Sequence, residues 1–367
     1  MKEKLISICR NFGISGECEY IKAINNGLIN STFEVGFICC GKINKFLVQK
    51  INTKVFKNPN LVMENIIKVT SHIKNKLEKN CEDEKQRTLE FKVSKRGQPF
   101  VFDEDGGCWR VCDFLENTTT FNITSDLFVI QETGRAFGGF LGFLSDFPVH
   151  KLNIIIPDFH NTSNRYEILK NAITKNSFKR VNFVKDEINE FLRLENVAVQ
   201  MYSMQKNNEL QLKVTHNDTK CNNVLFDEKT HKYISVIDLD LVMPGLVGFD
   251  FGDAVRFIAS TAVEDEKDLS KVDVDIEKFK AFATGFLSGA KNQLTQKEKD
   301  TLVLGAITIT IELGVRFLTD YLDGDKYFKT LYPEHNLVRA RCQLKLAKEM
   351  IKHRKEMEEI ISRLCGI

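Results

Sequence analysis

The chain has 367 residues, of which 43% are hydrophobic and 28% are charged. This length is sufficient for two domains, or for one domain with a large second lobe. With a formal net charge of +2, the chain lacks the strongly basic composition of a nucleic-acid-binding protein, so we exclude nucleic acid as a partner.

Cysteine usage and hydropathy indicate the cellular setting. The ten cysteines are scattered and form no Cys-x-x-Cys pair, which argues against a cysteine-based metal or redox centre. The first residues lack the apolar stretch of a signal peptide, and the most apolar tract, 137–144, is far shorter than the roughly 20 residues that span a bilayer. We therefore predict a reduced, cytoplasmic protein without a membrane partner; the oligomeric state is unknown from sequence.

Residues 1–115 are rich in short β-type segments. One helix is predicted over 5–12 and a second over 58–77, where an Asn-Pro cap precedes apolar residues at helical spacing. Five strands with one inserted helix predict a small antiparallel lobe. The predicted strands are 20–24, 32–38, 45–51, 100–102 and 108–114.

From residue 116 onward the hydrophobic pattern is helical, apart from one hairpin over 214–240. Four glycines within one predicted helix, Gly134, Gly138, Gly139 and Gly142, indicate close packing between helices more than ligand binding. A strand-rich lobe followed by a helical lobe is therefore expected. The predicted helices are 127–144, 165–175, 186–204, 276–287, 298–323 and 336–365.

The side chains with the most chemistry lie just past the middle of the chain. Asp218 and Asn223 stand five apart, and His216 lies two residues before Asp218. Asp238 and Asp240 follow after one short turn. The spacing His-x-Asp-x-x-x-x-Asn is that of the kinase catalytic loop, and it predicts phosphoryl transfer.

The geometry of this segment can be predicted from its two β-type runs and the turn between them. An antiparallel pairing of Asp227 with Ile234 puts Asn223 opposite Asp238, about 4.5–5.5 Å apart between Cβ atoms. Hard oxygen ligands of this kind suit Mg²⁺. Asp218 is left free to accept a proton from an attacking hydroxyl. The alternative is a polar hairpin end in which these side chains only cap turns.

Several departures separate the chain from protein kinases. The Gly-rich loop is missing, Asp-Phe-Gly is replaced by Asp-Leu-Asp at 238–240, and no Ala-Pro-Glu follows. The chain instead resembles the aminoglycoside phosphotransferase and choline kinase superfamily, and within it most the N-acetylhexosamine 1-kinases. The matching segments are 26–30 (NGLIN), 49–59 (QKINTKVFKNP), 63–66 (MENI), 215–220 (THNDTK), 236–245 (VIDLDLVMPG), 316–327 (RFLTDYLDGDKY) and 336–339 (NLVR).

The resemblance implies an α+β, bilobal, protein-kinase-like fold. Residues 1–115 would form a small antiparallel β N-lobe with one helix that binds nucleotide, and residues 116–367 a larger, mainly helical C-lobe with the catalytic loop and the substrate pocket. It also implies an ATP- and Mg²⁺-dependent kinase of small molecules. The expected substrate is an N-acetylhexosamine, such as N-acetylglucosamine or N-acetylgalactosamine, phosphorylated on its anomeric hydroxyl.

By the same resemblance, Asp218 is the catalytic base, Asn223 and Asp238 are metal ligands, and Asp240 is a possible second carboxylate ligand. His216 is expected to support the loop through a structural hydrogen bond rather than to transfer protons.

Two further residues near the motif have open roles. Lys220 contacts either the γ-phosphate or a nearby carboxylate. Asp250 either accepts hydrogen bonds from the catalytic-loop backbone or caps a helix.

The nucleotide site is expected in the N-lobe. The turn 26–31 presents backbone N–H groups to phosphates. The strand position of the usual phosphate-contacting lysine holds Gln49, and Lys50 points to the other face; either a bulge turns Lys50 inward or Gln49 plays a weaker version of the role. Glu64 is the expected partner of whichever points inward, and 113–116 is the hinge. The predicted nucleotide contacts are Gly27, Asn30, Ser31, Gln49, Lys50, Glu64, Asp113 and Leu115.

The acceptor pocket is expected in the C-lobe. Asn217, Arg316, Asp320 and Tyr327 are its predicted substrate contacts. Arg316 and Asp320 are four residues apart on one helix, so an ordinary surface ion pair is the alternative for these two.

Two other functions remain as alternatives. The acceptor could instead be another small alcohol, such as another hexose, an aminoglycoside or a choline-like amine. The last two are cationic and need many acidic side chains or an aromatic cage, whereas this chain has one Trp and its acidic run at 265–268 is diluted by lysine. A nucleotide-binding pseudokinase scaffold is opposed by the intact Asp218, Asn223 and Asp238, although the displaced lysine favours it slightly.

Overall fold

The computed structural model describes residues 1–24, 30–80 and 87–366. The first part of the chain contains two helices and five strands, namely α1 (Lys2–Asn11), β1 (Glu17–Ile24), β2 (Ser31–Cys39), β3 (Lys42–Ile51), α2 (Pro59–Asn80), β4 (Val101–Phe102) and β5 (Cys108–Asp113). The strands form one antiparallel sheet in the order β1-β2-β3-β5-β4.

The two faces of this sheet bury different residues because side chains alternate along each strand. On one face, Val48 of β3 and Trp109 of β5 pack in a cluster with Leu5 of α1. On the opposite face, Ile51 and Cys108 pack against α2 and against apolar residues from the catalytic half of the chain. The second face therefore borders the candidate site.

The rest of the chain is mainly helical. Its elements are β6 (Thr118–Thr119), α3 (Leu127–Phe143), α4 (Thr162–Lys175), α5 (Lys185–Ala198), α6 (Gln200–Lys206), β7 (Lys213–Thr215), β8 (Val224–Asp227), β9 (Tyr233–Val236), β10 (Met243–Gly245), α7 (Val247–Ile258), α8 (Ile276–Gly289), α9 (Gln296–Asp300), α10 (Leu302–Leu322), α11 (His335–Lys352) and α12 (Arg354–Leu364). Strand β6 pairs with β8, β8 with β9, and β7 with β10.

The predicted α+β class, with a small antiparallel sheet followed by a larger helical part, is confirmed. Three predicted long helices are each divided into two, at Val199, Thr301 and His353. Helix α7 was not predicted; it is buried on almost every side, and its buried residues include the polar Asp250 and Arg256. The predicted domain boundary at 115/116 falls between β5 and β6, and the division into two domains stays a prediction.

Helices α3 and α8 approach each other through glycines on both. A Cβ built on Gly134 would lie 2.2 Å from the carbonyl oxygen of Phe282, and one on Gly138 would lie 2.0 Å from that of Phe286. From the other side, a Cβ on Gly285 would lie 1.8 Å from the carbonyl oxygen of Gln131. Close helix packing, as predicted for Gly134 and Gly138, is confirmed.

Helix α10 is the most apolar long helix among the described residues. Its length and composition would allow it to cross a membrane, but 83% of its most apolar window is buried inside the protein. The helix contacts α4, α5, α7 and α11. Its hydrophobicity is therefore explained by its position in the core of the helical part.

Candidate active site

The β8–β9 hairpin carries the candidate catalytic residues. Val224 lies opposite Val236, and the register shifts at a bulge between Leu225 and Phe226. The backbone N–H of Ile237 donates to the carbonyl oxygen of Asn223 at 2.9 Å. The prediction that Asn223 lies opposite Asp238, from a pairing of Asp227 with Ile234, is therefore wrong by one residue.

The bulge shifts the register of the hairpin, and the backbone of Asp238 ends the ladder. Its φ of 58° lies in the left-handed region, which Asp and Asn enter more readily than most residues. Strand β9 consequently ends at Val236, and a tight turn over 239–241 begins. The carboxylate of Asp238 is thus placed by a turn and not by a regular ladder.

Asp218 lies on the loop before β8, and two side chains hold its carboxylate. Lys220 Nζ is 2.6 Å from Asp218 Oδ1. Asn223 Nδ2 donates to Asp218 Oδ2 at 3.1 Å and to its carbonyl oxygen at 2.8 Å. Lys220, for which two roles were open, contacts a carboxylate in this structure. Asn223 Oδ1 has no hydrogen-bond donor among the described residues.

His216 is fully buried and holds the catalytic loop against the next segment. Its Nε2 lies 2.8 Å from the carbonyl oxygen of Ile237, and its Nδ1 accepts from the backbone N–H of Asp218 at 3.2 Å. These partners require that Nε2 carries the proton and donates it. The rings of Phe137 and Phe140 lie edge-on to the imidazole. This environment suits a structural hydrogen bond better than proton transfer.

Asp250 receives the backbone of the catalytic loop. The N–H groups of His216 and Asn217 each donate to one of its carboxylate oxygens at 2.7 Å. Burial raises the pKa of Asp250 to about 6, although His216 and these donors act in the opposite direction. The residue lies inside α7, whose N-cap is Leu246, so the alternative of a helix cap at Asp250 does not describe it.

Asn217 was predicted to contact substrate, but its side chain is engaged within the protein. It is buried, its Nδ2 donates to the carbonyl oxygen of Leu241 at 2.8 Å, and its Oδ1 accepts from Thr215 at 3.1 Å. Its φ of 65° makes it a second left-handed residue in the site. The prediction of a substrate contact is corrected to a link between the catalytic loop and the segment after Asp238.

We expect Asp250→Asn to lower both kcat and the free energy of unfolding. The amide offers only one acceptor atom, so one backbone N–H of the loop loses its partner, at a cost of about 1–3 kcal/mol. Urea denaturation and steady-state kinetics measure the two effects. Asp186→Asn is the matched control, since Asp186 lies exposed in the first turn of α5. Equal behaviour of the two variants would contradict a positioning role for Asp250.

Asp238 is a carboxylate of the site without a partner among the described residues. It makes no hydrogen bond or ion pair to any of them, and it is exposed. Desolvation within the cleft raises its pKa, and the negative charges of Asp240 and Asp218 raise it further. Such an accumulation of negative charge is what a bound divalent cation relieves.

Asp240 has a different environment from Asp238. One of its oxygens is ion-paired with Arg110 of β5, and the other accepts from Asn30 Nδ2 at 2.6 Å. Asp240 is 3% exposed. Both oxygens are therefore engaged by the first part of the chain. This arrangement does not favour the predicted role of Asp240 as a second metal ligand. Asp238 and Asn223 Oδ1 are the oxygens that fit Mg²⁺.

The β3 residues do not have the expected contacts. Strand β3 is regular here, with Gln49 opposite Arg110 and Lys50 opposite Trp109, so the bulge that would turn Lys50 inward is absent. Lys50 is exposed, with Nζ 5.8 Å from the centre of the Trp109 ring. Gln49 instead points to the cleft face, where its Oε1 accepts from Arg110 Nε at 3.0 Å.

Glu64 of α2 is not the partner of either β3 residue. It accepts from Asn60 Nδ2 at 2.7 Å and from Asn153 Nδ2 at 3.0 Å, and it lies 3.7 Å from Lys68 Nζ. Its predicted pairing with Gln49 or Lys50 is therefore wrong. In this part of the site, the sequence analysis missed Arg110. A charged side chain in the otherwise apolar strand 108–112 was the available signal.

The remaining predicted nucleotide contacts that the structure describes lie at or just beyond the ends of β2 and β5. Gly27 is outside the described residues. Asn30 accepts the backbone N–H of Asn52 at 3.0 Å, and Ser31 is exposed at the start of β2. At the predicted hinge, Asp113 pairs with Lys92 at 2.7 Å. The carbonyl oxygen of Leu115 accepts from Thr118 at 2.8 Å.

The predicted acceptor residues divide into two kinds. Arg316 makes no hydrogen bond or ion pair within the described residues; its guanidinium lies 5.4–6.0 Å from three ring centres, including Phe159 and Tyr327. The alternative of an Arg316–Asp320 ion pair is therefore not seen. Asp320 is buried and accepts the backbone N–H groups of 326–328 at 2.8–2.9 Å. Its predicted substrate contact is corrected to support of the loop that carries the exposed Tyr327.

Four residues beside Arg316 were not predicted. Arg165 donates to the carbonyl oxygen of Phe159 at 2.8 Å, but its buried Nε has no partner among the described residues. Burial, together with the nearby charge of Arg316, lowers the pKa of Arg165. Glu312 is engaged by His160 at 3.0 Å and by Thr162 at 2.7 Å, so it forms no ion pair with either arginine. We call Phe159, His160, Arg165, Glu312, Arg316 and Tyr327 the acceptor-side cluster.

Asp253 connects this cluster with the catalytic loop. The backbone N–H of Thr219 donates to its carboxylate at 3.2 Å, and Arg256 pairs with it at 2.9 Å. Burial acts to raise the pKa of Asp253, but the charges of Arg256, Lys220 and His160 hold it below its ordinary value. The acceptor-side cluster is therefore an electrostatic neighbour of the loop that carries Asp218.

Residues 101–270 match the model of the phosphotransferase enzyme family, APH. The catalytic loop, the hairpin and the Asp238 turn all lie within this match. Over these residues the chain is similar to the aminoglycoside phosphotransferase and choline kinase superfamily, and the match supports a small-molecule phosphotransferase.

Solved structures share the fold of this chain over nearly its whole length. Choline kinase from Cryptosporidium parvum Iowa II is 16% identical, with 98% of this chain and 97% of that chain covered and a TM-score of 0.56. Aminoglycoside phosphotransferase from Alicyclobacillus acidocaldarius is 11% identical, with 96% of each chain covered and a TM-score of 0.63. Spectinomycin phosphotransferase in complex with ADP and spectinomycin is 12% identical, with 100% and 98% covered and a TM-score of 0.53.

Proposed function

We propose that this phosphotransferase transfers the γ-phosphoryl group of ATP to the anomeric hydroxyl of an N-acetylhexosamine, giving the sugar 1-phosphate. Residues 1–115 would bind the nucleotide and residues 116–367 the sugar, in the cytoplasm. The ADP complex of the spectinomycin phosphotransferase supports a nucleotide co-substrate. The resemblance of 316–327 and 336–339 to the N-acetylhexosamine 1-kinases supports the sugar.

One observation favours a neutral sugar over a cationic acceptor. In the acceptor-side cluster, the guanidinium of Arg316 and the Nε of Arg165 have no carboxylate partner, because Glu312 is engaged by His160 and Thr162. Two arginines against the single carboxylate of Glu312 leave an excess of positive charge, which repels an ammonium group, and they offer donors to a carbonyl or hydroxyl oxygen. An N-acetyl group supplies such a carbonyl oxygen, and the ring of Tyr327 offers an apolar face to a sugar.

The residues of the catalytic loop have distinct proposed roles. Asp218 accepts the hydrogen of the attacking hydroxyl and orients its oxygen in line with the γ-phosphate. Lys220 and Asn223 fix the direction of the Asp218 carboxylate, and Asp250 holds the loop backbone. Asp238 and Asn223 Oδ1 would hold Mg²⁺, which when bound neutralises charge on the phosphate oxygens.

The proposal is tested with purified protein, ATP and MgCl₂, and a panel of four acceptors: N-acetylglucosamine, N-acetylgalactosamine, choline and kanamycin. We expect phosphorylation of an N-acetylhexosamine only, with the phosphate on the anomeric carbon as located by ³¹P–¹H NMR. Turnover of choline or kanamycin alone would instead indicate a kinase of cationic alcohols.

Arg316→Met provides the second arm of this test. We expect KM for the sugar to rise about tenfold, because a hydrogen bond from a charged group contributes about 1.5–3 kcal/mol, while KM for ATP stays unchanged. Arg193→Met is the matched control, since Arg193 is largely exposed on α5. An unchanged KM for the sugar would remove Arg316 from the acceptor site.

A further inference from the structure

The phosphotransferase lacks a lysine at the usual place on β3, yet a cation does lie on that face of the sheet. Arg110 of β5 is directly opposite Gln49 of β3, so both side chains point into the cleft. Arg110 is 2% exposed, and its guanidinium pairs with Asp240, which is 3% exposed. A buried cation and a buried carboxylate from the two halves of the chain thus meet beside Asp238.

The surroundings of Arg110 restrain its guanidinium on several sides. Its Nε donates to Gln49 Oε1 at 3.0 Å, its Nη1 lies 3.8 Å from Met63 Sδ, and its centre lies 5.4 Å from the Phe91 ring. Gln49 is held in turn by Thr32 at 3.1 Å. A side chain so enclosed is placed to hold a neighbouring carboxylate and is poorly placed to follow a phosphate group in the open cleft.

Asp240 connects Arg110 to two functional segments. Its second oxygen accepts from Asn30, whose own Oδ1 accepts the backbone N–H of Asn52, so the end of the turn before β2 is held on both sides. Along the chain, Asp240 is separated from Asp238 only by Leu239, which is buried against α2 residues. Movement of Asp240 would therefore move both Asn30 and Asp238.

We propose that Arg110 is a positioning residue that takes the place of the missing β3 lysine. By holding Asp240 and, through it, Asn30 against the sheet, it sets the position of Asp238 relative to the nucleotide phosphates. Asp240 is then a joint between the two halves of the chain and is not a ligand of the metal. This role concerns the nucleotide and does not depend on which acceptor is phosphorylated.

The test uses four variants of the full chain: Arg110→Met, Asp240→Asn, the double variant R110M/D240N and the double variant Q49K/R110M. The affinities of the native protein for ADP and for GDP are compared by calorimetry in MgCl₂, and the nucleotide that binds more tightly is used for all variants. The melting temperature of each variant is measured by thermal unfolding. We expect each single variant to weaken nucleotide binding by about tenfold. R110M/D240N should weaken it no further than either single variant, because the two residues act as one unit.

The lysine variant separates positioning from a purely structural ion pair. A lysine at position 49 lies on the same face as Arg110 and can reach Asp240, so Q49K/R110M should bind the nucleotide within about threefold of the native protein. R110M/D240N removes the buried charges together and should recover the melting temperature, but not the nucleotide affinity. If R110M/D240N and Q49K/R110M each recover both the melting temperature and the nucleotide affinity, the Arg110–Asp240 pair is only structural and the proposal is overturned.

Two other results would also overturn the proposal. Additive losses in R110M/D240N, about a hundredfold in total, would show that Arg110 and Asp240 act separately. Loss of binding in Arg110→Met together with native binding in Asp240→Asn would show that Arg110 contacts phosphate directly. Arg96→Met is the control for loss of an exposed arginine from the same part of the chain. If Arg110→Met does not fold, the other two variants provide the test. Native nucleotide affinity in Asp240→Asn, or weak nucleotide affinity in Q49K/R110M, overturns the proposal.

Discussion

Asp218→Asn is expected to lower kcat by about 10²–10⁴-fold, the usual contribution of a positioned general base. The amide keeps the size of the side chain but does not take up the hydrogen of the attacking hydroxyl. Affinity for the Mg²⁺–nucleotide complex should stay within about threefold, because the carboxylate of Asp238 and Asn223 Oδ1 are untouched. Steady-state kinetics on the acceptor found by the panel, together with calorimetry, measure both quantities.

The matched control for this variant is Glu228→Gln. Glu228 is exposed in the turn of the same hairpin, and the substitution removes one negative charge from the same region. Native turnover of the control and loss of turnover in Asp218→Asn would separate local chemistry from a general change of charge. Turnover that survives in Asp218→Asn would contradict its role as the base. If the protein without substitutions binds nucleotide but phosphorylates no acceptor, that result would favour the alternative of a pseudokinase scaffold.

Gly285→Ala is expected to destabilise the protein by about 1–3 kcal/mol, the range seen for overpacking. The added Cβ would lie 1.8 Å from the carbonyl oxygen of Gln131 and 2.8 Å from the backbone nitrogen of Arg135. Both contacts are to backbone, so α3 and α8 must separate. In helix propensity alone, alanine is better than glycine by about 1 kcal/mol, so the observed sign reports which effect prevails. Urea denaturation with a fixed m-value measures the change.

Ser288→Ala is the control for Gly285→Ala. Ser288 is exposed on the same helix, so this variant changes helix propensity without changing the α3–α8 contact. We expect the control to be equal to or slightly more stable than the native protein. If Gly285→Ala were also more stable than the native protein, the absence of a side chain at Gly285 would not set the distance between α3 and α8.

The fold class and the superfamily could be predicted because their signals are local. The order of strands and helices follows from apolar periods of two and of 3.6 residues. The spacing of His216, Asp218 and Asn223 lies within one short loop, and the structure brings these three side chains into contact. Helix α7 was missed although apolar and polar residues are segregated along it, and its polar residues Asp250 and Asp253 accept hydrogen bonds from the catalytic loop.

The register of the β8–β9 hairpin was predicted with an error of one residue. Counting along an ideal ladder put Asn223 opposite Asp238, whereas a bulge at Leu225–Phe226 and the left-handed backbone of Asp238 end the ladder early. A bulge changes the register without a clear mark in the sequence. Asn223 and Asp238 therefore flank the hairpin as predicted, but they are not opposite each other on a regular ladder.

The sequence by itself determined the class of fold, the catalytic loop and the chemistry of its oxygen ligands, because these depend on residue type and short spacing. Tertiary structure alone decided which charged groups are already paired. Arg110 and Asp240 are 130 positions apart, and only the folding of the sheet onto the catalytic segment joins them. Likewise, Arg316 remains without a carboxylate because Glu312 is engaged by His160, 152 positions away. Such long-range pairings depend on how helices and strands pack, which local patterns do not encode.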